Sequence, residues 1–216
     1  EIVVGANQTA AYLPLLEGKK VGIAANQTSV IFKENGFTHI VDSLVSLNLE
    51  IKKVFSPEHG FRGSADAGEL VNNDIDTKTG LPIVSLYGKN KKPFVEQLKE
   101  LDIIIFDIQD VGVRFYTYTS TMHNLMEVCA ELGIPILILD RPNPNGHYID
   151  GPTLEIKHKS YLGMHPIPLV HGMTIGEYAQ MLNGEKWLKN GIQCDITIIP
   201  IKNYTHNTFY SLPIRP

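Results

Sequence analysis

The sequence predicts an α/β protein built on a doubly wound, mostly parallel sheet with helices on both faces. Three observations lead there. Short β-branched runs alternate with longer amphipathic runs along the chain, as strand–helix–strand units require. The runs IIIF and ILIL, inside LDIIIFDI (101–108) and IPILILD (134–140), are apolar at every position, which implies burial on both faces of a sheet. Met122, Leu125, Met126, Cys129 and Leu132 recur at spacings of three and four and stop at Gly133, a helix stripe with its C-terminal cap residue.

In chain order, KVGIAAN (20–26) reads as the first strand and HIVDSLVSL (39–47) as the first helix. IKKVFS (51–56) and LPIVSLY (81–87) are strands; PFVEQLKEL (93–101) is a helix. LDIIIFDI follows, then the long helix TSTMHNLMEVCAELG (119–133), then IPILILD. TIGEYAQMLNGEKWL (174–188) is the last helix and DITIIPI (195–201) the last strand. After about residue 146 strands thin out and Pro and His increase. The chain is therefore divided into 1–146, an α/β domain carrying the main loops, and 147–216, its continuation and the start of a C-terminal region. NTFYSLPIRP carries no stop signal, so a C-terminal domain is expected to be missing or truncated.

The bulk numbers exclude several classes. Nineteen basic against twenty-three acidic residues give a net charge of −4, and the only basic cluster is KNKK at 89–92, so nucleic acid is not an expected partner. Cys129 and Cys194 belong to no CxxC or Cys/His cluster, and Cys129 reads as a buried small hydrophobe. No apolar run is long enough to span a membrane. The chain begins at Glu1, not Met, which fits a processed N-terminus, whether left by signal-peptide removal or trimmed for expression.

In an open α/β sheet ligands bind beyond the carboxyl ends of the strands. Each strand end here carries polar residues flanked by Gly or Pro: Asn26-Gln27-Thr28; Pro57-Glu58-His59-Gly60; Gln109, Asp110 and Arg114; Asp140, Arg141, Asn143 and Asn145. Plainer readings stand beside these. Asn26 to Thr28 suit a helix cap, Asp140 and Arg141 a local ion pair, Glu58 a solvated carboxylate or an Arg62 partner, and Asp107 a backbone anchor. VGVRFYTYTS (111–120) adds Phe115, Tyr116 and Tyr118, of which alternation assigns part to the core.

No GxGxxG follows the first strand, and neither GxxxxGK[ST] nor GxSxG occurs, which removes the usual support for dinucleotide, triphosphate and serine-hydrolase chemistry. His59, His123, His165 and His171 lie in unlike contexts and no HExxH is present, so no metal or cofactor is expected. Carboxylates with Asn, Gln, Arg and Tyr remain, an inventory suited to polyhydroxylated ligands and to glycoside hydrolysis.

SPEHGFRGSADAGE, DIQDVGVRFYTYTSTM, LDRPNPNG, GPTLE and PLVHGMTIGEYA resemble successive signature blocks of the exo-β-N-acetylmuramidases of NamZ type, from about Val21 to Leu188. The resemblance implies a Rossmann-like N-terminal domain followed by a smaller one, a site in the cleft between them, and release of N-acetylmuramic acid from the non-reducing end of peptidoglycan fragments. It further implies Glu58 as general acid, with a raised pKa if shielded from water. Asn26, His59, Arg62, Gln109, Asp110, Arg114 and Tyr116 would line the sugar subsite; Asp140, Arg141, Asn143, Asn145, Glu155, His171 and Glu177 fall in the later blocks. Charge complementarity suggests Arg62 or Arg114 for the lactyl carboxylate. Asp110 is the candidate second catalytic group, with retention, inversion and participation by the substrate's acetamido group all open.

Peptidoglycan-derived saccharides are the implied partners, and the periplasm or the exterior the implied location. Two other readings are a non-catalytic muropeptide-binding module and a metal-assisted hydrolase of small molecules using Asp107 and Asp110.

Overall fold

The computed structural model describes residues 1–58, 60–63 and 74–216. Its first half contains α1 (Thr9–Tyr12), β1 (Val21–Ala25), β2 (Val30–Lys33), β3 (Gly36–His39), α2 (Ile40–Ser46), β4 (Ile51–Ser56), β5 (Asp74–Ile75) and β6 (Pro82–Ser85). The second half contains α3 (Val95–Leu98), β7 (Ile103–Asp107), α4 (Tyr118–Leu132), β8 (Ile136–Leu139), α5 (Ile175–Gly184) and β9 (Ile196–Ile199).

Seven strands form one sheet in the order β5-β6-β4-β1-β7-β8-β9. All its pairings are parallel except that of β5 with β6. Numbered by chain position, the six parallel strands β1, β4, β6, β7, β8 and β9 lie in the order 3-2-1-4-5-6. This is the doubly wound Rossmann-type order, and its strand sequence reverses between β1 and β7. These two strands pair from Val21 with Ile103 through Ala25 with Asp107.

Both faces of the sheet are covered, which is why the central strands are apolar throughout. Ala24, Phe55, Ile104, Phe106, Ile136 and Ile138 point to the side packed by α4 and α5. Val21, Ile23, Val54, Ile103, Ile105 and Leu137 point to the side packed by α1 and α2. Alternation along each strand thus feeds two cores. Cys129 lies in the first of them, as its apolar neighbours implied. Helix α4 ends at Gly133, whose φ of 69° is the left-handed conformation that a residue with a Cβ adopts at a cost. Thr174 caps α5 through a reciprocal pair of bonds with Glu177.

The structure departs from the sequence reading in several places. PFVEQLKEL supplies a single helical turn, Val95–Leu98. Between the first strand and α2 stands an antiparallel hairpin, β2 with β3, that was not anticipated. No helix starts at Asn26 to Thr28, so those residues do not cap one.

One buried ion pair ties the carboxyl ends of the strands together. Arg141, just beyond β8, donates from Nε to Asp107 Oδ1 at 2.6 Å and from Nη2 to Asp107 Oδ2 at 3.0 Å, and also reaches the Val30 carbonyl at 2.9 Å. Both side chains are essentially inaccessible to solvent. Arg141→Met is expected to lower stability by about 3–5 kcal/mol in equilibrium urea unfolding, because Asp107 is left buried without its counter-charge; adding Asp107→Leu should recover most of that loss. Equal losses in the single and double variants would show that the pair is not what holds this region.

Candidate active site

The site is built on the loops that leave β1, β4 and β7. After β1 the chain makes an Asx turn: Asn26 Oδ1 accepts from Thr28 N at 2.9 Å and from Thr28 Oγ1 at 2.6 Å. The next two side chains tie this turn to β7, Ser29 Oγ donating to the Asp107 carbonyl and Thr28 Oγ1 accepting from Gln109 N at 3.0 Å. Gln109 Nε2 donates to the Asp110 and Pro142 carbonyls, each at 2.7 Å, and so joins the loop after β7 to the loop after β8. His39, half-buried and drawn down to a pKa of about 4 by desolvation, bonds the Asn26 carbonyl at 2.8 Å.

Asp110 is the buried carboxylate of this rim. Its Oδ2 accepts from Gly112 N at 2.8 Å, while its Oδ1 is buried with no hydrogen-bond partner among the described residues. Desolvation raises its pKa to about 7, against the pull of the Gly112 and Val111 N–H groups. His171 stands opposite. Its backbone N–H donates to the Gly112 carbonyl at 3.1 Å and its Nδ1 accepts from Met173 N at 3.2 Å, which leaves the ring proton on Nε2. That Nε2 lies 3.8 Å from Asp110 Oδ2 and has no hydrogen-bond partner among the described residues. The gap is too long for a direct hydrogen bond. Burial lowers His171 to about 4, so near neutral pH it is an uncharged donor.

Gly112 has a φ of 77°, and a Cβ on it would fall 2.3 Å from the side-chain amide of Asn143. That amide is itself fixed, with Nδ2 donating to Met173 O and Oδ1 accepting from Asn145 N, each at 2.8 Å.

Aromatic residues stand beside these groups. Tyr116 and Tyr118 meet edge to face with centroids 4.9 Å apart. Burial raises the pKa of both hydroxyls, and the charges of Glu58 and Asp110, both near enough to act on this aromatic pair, raise them further. The Tyr118 hydroxyl lies beside the Asn26 amide, but neither it nor Asn26 Nδ2 makes an aligned hydrogen bond among the described residues. Glu58 is half-buried and hydrogen-bonded to Tyr87, whose pKa it raises. Tyr161, anchored to the first turn of α4 by Thr121 Oγ1 at 3.0 Å, also feels the Glu58 charge. Tyr87 and Tyr161 were not singled out from the sequence; the only signal was that Tyr87 ends the strand-like run LPIVSLY.

Of the residues expected at the site, Asn26, Glu58, Asp110, Tyr116 and His171 are brought together. His59 lies outside the described residues. Arg62 is not with them: it is held by Asp76 at 2.7 Å and Asp42 at 2.9 Å and lines a separate cavity of about 460 Å³ with His39 and Lys78. Arg114 spends Nη1 on the Pro152 and Ile167 carbonyls, at 2.8 and 2.5 Å. A lactyl carboxylate would therefore meet a guanidinium already engaged in either case.

Asp140 and Arg141 do not form the local pair expected of neighbours. Arg141 belongs to Asp107, and Asp140 receives Thr174 Oγ1 at 2.8 Å and Gly176 N at 2.9 Å, with burial raising its pKa to about 6. Gln109, Asn143 and Asn145, whose Nδ2 donates to the Val111 carbonyl at 2.8 Å, hold loops together. Glu155 is exposed, and Glu177 caps α5. Asp107, considered for a metal-assisted reaction, has both oxygens taken by Arg141, and the described residues contain no cluster of three or more His, Cys, Asp or Glu placed to hold a metal ion.

Because the folded state raises the Asp110 pKa above its unfolded value, the group's contribution to stability is complete below about pH 4 and is lost as pH rises through about 7. Asp110→Asn should therefore gain on the unsubstituted protein by about 1.4 kcal/mol per pH unit across that window, then level off. Urea unfolding of both proteins from pH 4 to 8 measures this; a constant difference would mean that Asp110 titrates normally.

Residues 21–216 match the family model for the N-terminal region of exo-beta-N-acetylmuramidase NamZ. The chain is 47% identical over 195 residues to the peptidoglycan beta-N-acetylmuramidase NamZ of Bacillus subtilis (strain 168), an alignment covering 89% of this chain and 45% of that protein. Crystal structures of two DUF1343 family proteins from Bacteroides fragilis NCTC 9343 superpose with TM-scores of 0.87 and 0.84, at 52% and 37% identity. Those alignments cover 99% and 97% of this chain, and 55% and 52% of the two structures. The chain thus spans about half the length of these relatives. Sequence match, strand order and superposition agree that this chain belongs to the NamZ exo-β-N-acetylmuramidase family and corresponds to its N-terminal region.

Proposed function

We propose that the protein is a glycoside hydrolase that releases terminal N-acetylmuramic acid from the non-reducing end of peptidoglycan fragments, with Glu58 and Asp110 carrying the chemistry. The observation that supports it best is the pair of carboxylates around Tyr116 and Tyr118, beyond the strand ends where the strand order reverses. Asn26 Nδ2, the Tyr118 hydroxyl and His171 Nε2 are buried polar groups nearby with no hydrogen-bond partner among the described residues. An amino sugar offers hydroxyl, acetamido and carboxylate oxygens to satisfy them.

In this reading Glu58 is the general acid. It passes its proton to the glycosidic oxygen as the bond from the anomeric carbon to that oxygen breaks, and the leaving sugar departs as an alcohol; a water molecule then supplies the oxygen that replaces it on the anomeric carbon and the proton that restores Glu58. Asp110 is the second group, placed to hold an oxygen or the acetamido group of the bound sugar against His171. The burial of Asp110 supports a second reading with the roles exchanged, because a carboxyl group with a pKa of about 7 still carries a proton near neutrality. A substrate of this class puts the protein in the periplasm or outside the cell, a location that fractionation of the native host would test.

Aryl and disaccharide glycosides of N-acetylmuramic acid separate the roles. Glu58→Gln should lose at least a hundredfold in kcat on the disaccharide, in line with general-acid contributions of about 10²–10⁴, and much less on a nitrophenyl glycoside whose leaving group needs no proton. If Asp110→Asn gives that pattern and Glu58→Gln does not, the exchanged assignment holds. Saturable binding by calorimetry without product from the unsubstituted protein would leave a muropeptide-binding module.

A further inference from the structure

The reaction as derived leaves unused a file of buried polar side chains behind the cleft. Glu127 and His123 lie one turn apart on α4, His165 sits in the connection before α5, and Tyr178 belongs to α5. Glu127 Oε1 is 3.0 Å from His123 Nε2, His123 Nδ1 is 2.9 Å from His165 Nε2, and His165 Nδ1 is 2.8 Å from the Tyr178 hydroxyl. Tyr178 then packs its ring against that of His171, with centroids 5.2 Å apart at 73°, and His171 faces Asp110. Two imidazoles in series, buried, hydrogen-bonded at both nitrogens and ending against a cleft residue, are more than core packing requires.

The chemistry of the ends fixes the direction of every bond. Burial opposes charge on Glu127, but Lys92 and the Lys189 N–H outweigh it and hold the carboxyl below the usual range, so Glu127 is an acceptor only. Burial lowers His123 and His165, the latter to about 3, and each ring then carries one proton. The charged groups facing them are Glu127, Lys92 and Lys159. His123 must donate from Nε2 to Glu127 and accept at Nδ1. His165 must donate from Nε2 to His123 and accept at Nδ1 from Tyr178. Trp187 stacks on His165 at 5.4 Å and 7°, which fixes the ring plane.

We propose that Glu127, His123, His165 and Tyr178 form a one-way positioning file: by drawing the Tyr178 hydroxyl proton away from the cleft, it sets the Tyr178 ring that orients His171 toward Asp110. The proposal rests on the reading of Asp110 as a working carboxylate. None of the four is a catalytic residue. Their effect reaches the reaction through the 3.8 Å gap between His171 and Asp110, whose width the Tyr178 ring controls.

Tyr178→Phe keeps the ring and removes the hydroxyl; Glu127→Gln keeps the shape at the far end and supplies a donor that lets the file reverse. Each is expected to lower kcat on the nitrophenyl glycoside roughly ten- to a hundredfold with KM little changed, as for a displaced reacting group. Each should also move the Asp110 titration followed by carboxyl ¹³C NMR, a readout that loss of stability alone leaves in place. Folded variants with kcat and Asp110 titration unchanged would overturn the proposal. Because the NMR titration needs no turnover, failure of the unsubstituted protein to hydrolyse any muramic acid glycoside would count against the hydrolase reading and leave the file to be judged on its own. Should both variants unfold, ¹⁵N shifts of the unsubstituted protein decide: both histidines protonated at Nε2 and bare at Nδ1 is the expected result, and the opposite tautomer at either one refutes it.

Discussion

The carboxyl end of this sheet is organised by a bidentate contact between Arg141 and Asp107. A charge taken out of water costs several kcal/mol, and only near-ideal geometry with further hydrogen bonds offsets it. The guanidinium meets that condition by gripping both carboxylate oxygens at the end of β7 and the Val30 carbonyl at the start of β2. Three segments far apart in the chain are thereby fixed relative to one another. Ser29 and Thr28 extend the bond network toward the β1 turn, and Gln109 extends it toward the loop after β8. The loops over the sheet rim are held as a frame, and the cleft takes its shape from that frame.

Against so complete a pairing, the atoms left unpaired stand out. Buried polar groups almost always find partners, since each orphan costs about 1–3 kcal/mol. Among the described residues, Asp110 Oδ1, His171 Nε2, Asn26 Nδ2 and the Tyr118 hydroxyl have no hydrogen-bond partner, with Glu58 close by. Framework and cleft have opposite polar economies. The framework satisfies its groups internally, while these four atoms have no hydrogen-bond partner among the described residues.

The fold was legible because its determinants are local. Continuous apolar strands at IIIF and ILIL, and a helix stripe stopping at Gly133, each depend on residues a few positions apart. The β2–β3 hairpin was missed although Asn35-Gly36 sits at its turn, a dipeptide that favours the positive φ of hairpin turns; Gly36 has a φ of 103°. Site geometry was legible only where strand ends advertise it, as at Asn26, Glu58 and Asp110. Arg141 pairs with a residue 34 positions away, not with its neighbour, and His165 meets His123 across 42 positions. No spacing rule reports such contacts, so a local pair with Asp140 was the plainer reading weighed for Arg141 beside a ligand-facing one, and the histidines were read as scattered.

Gly112 carries a consequence for how such a site can change. Its missing side chain leaves the space that the Asn143 amide fills, while its N–H holds Asp110 and its carbonyl holds His171. The loop after β7 and the loop after β8 therefore interlock like tongue and groove, and neither can be lengthened or recoded alone without colliding with the other. Exchange of either loop with a homologue's will preserve this packing only where the incoming loop keeps the glycine at 112 or the side chain at 143 that fits against it.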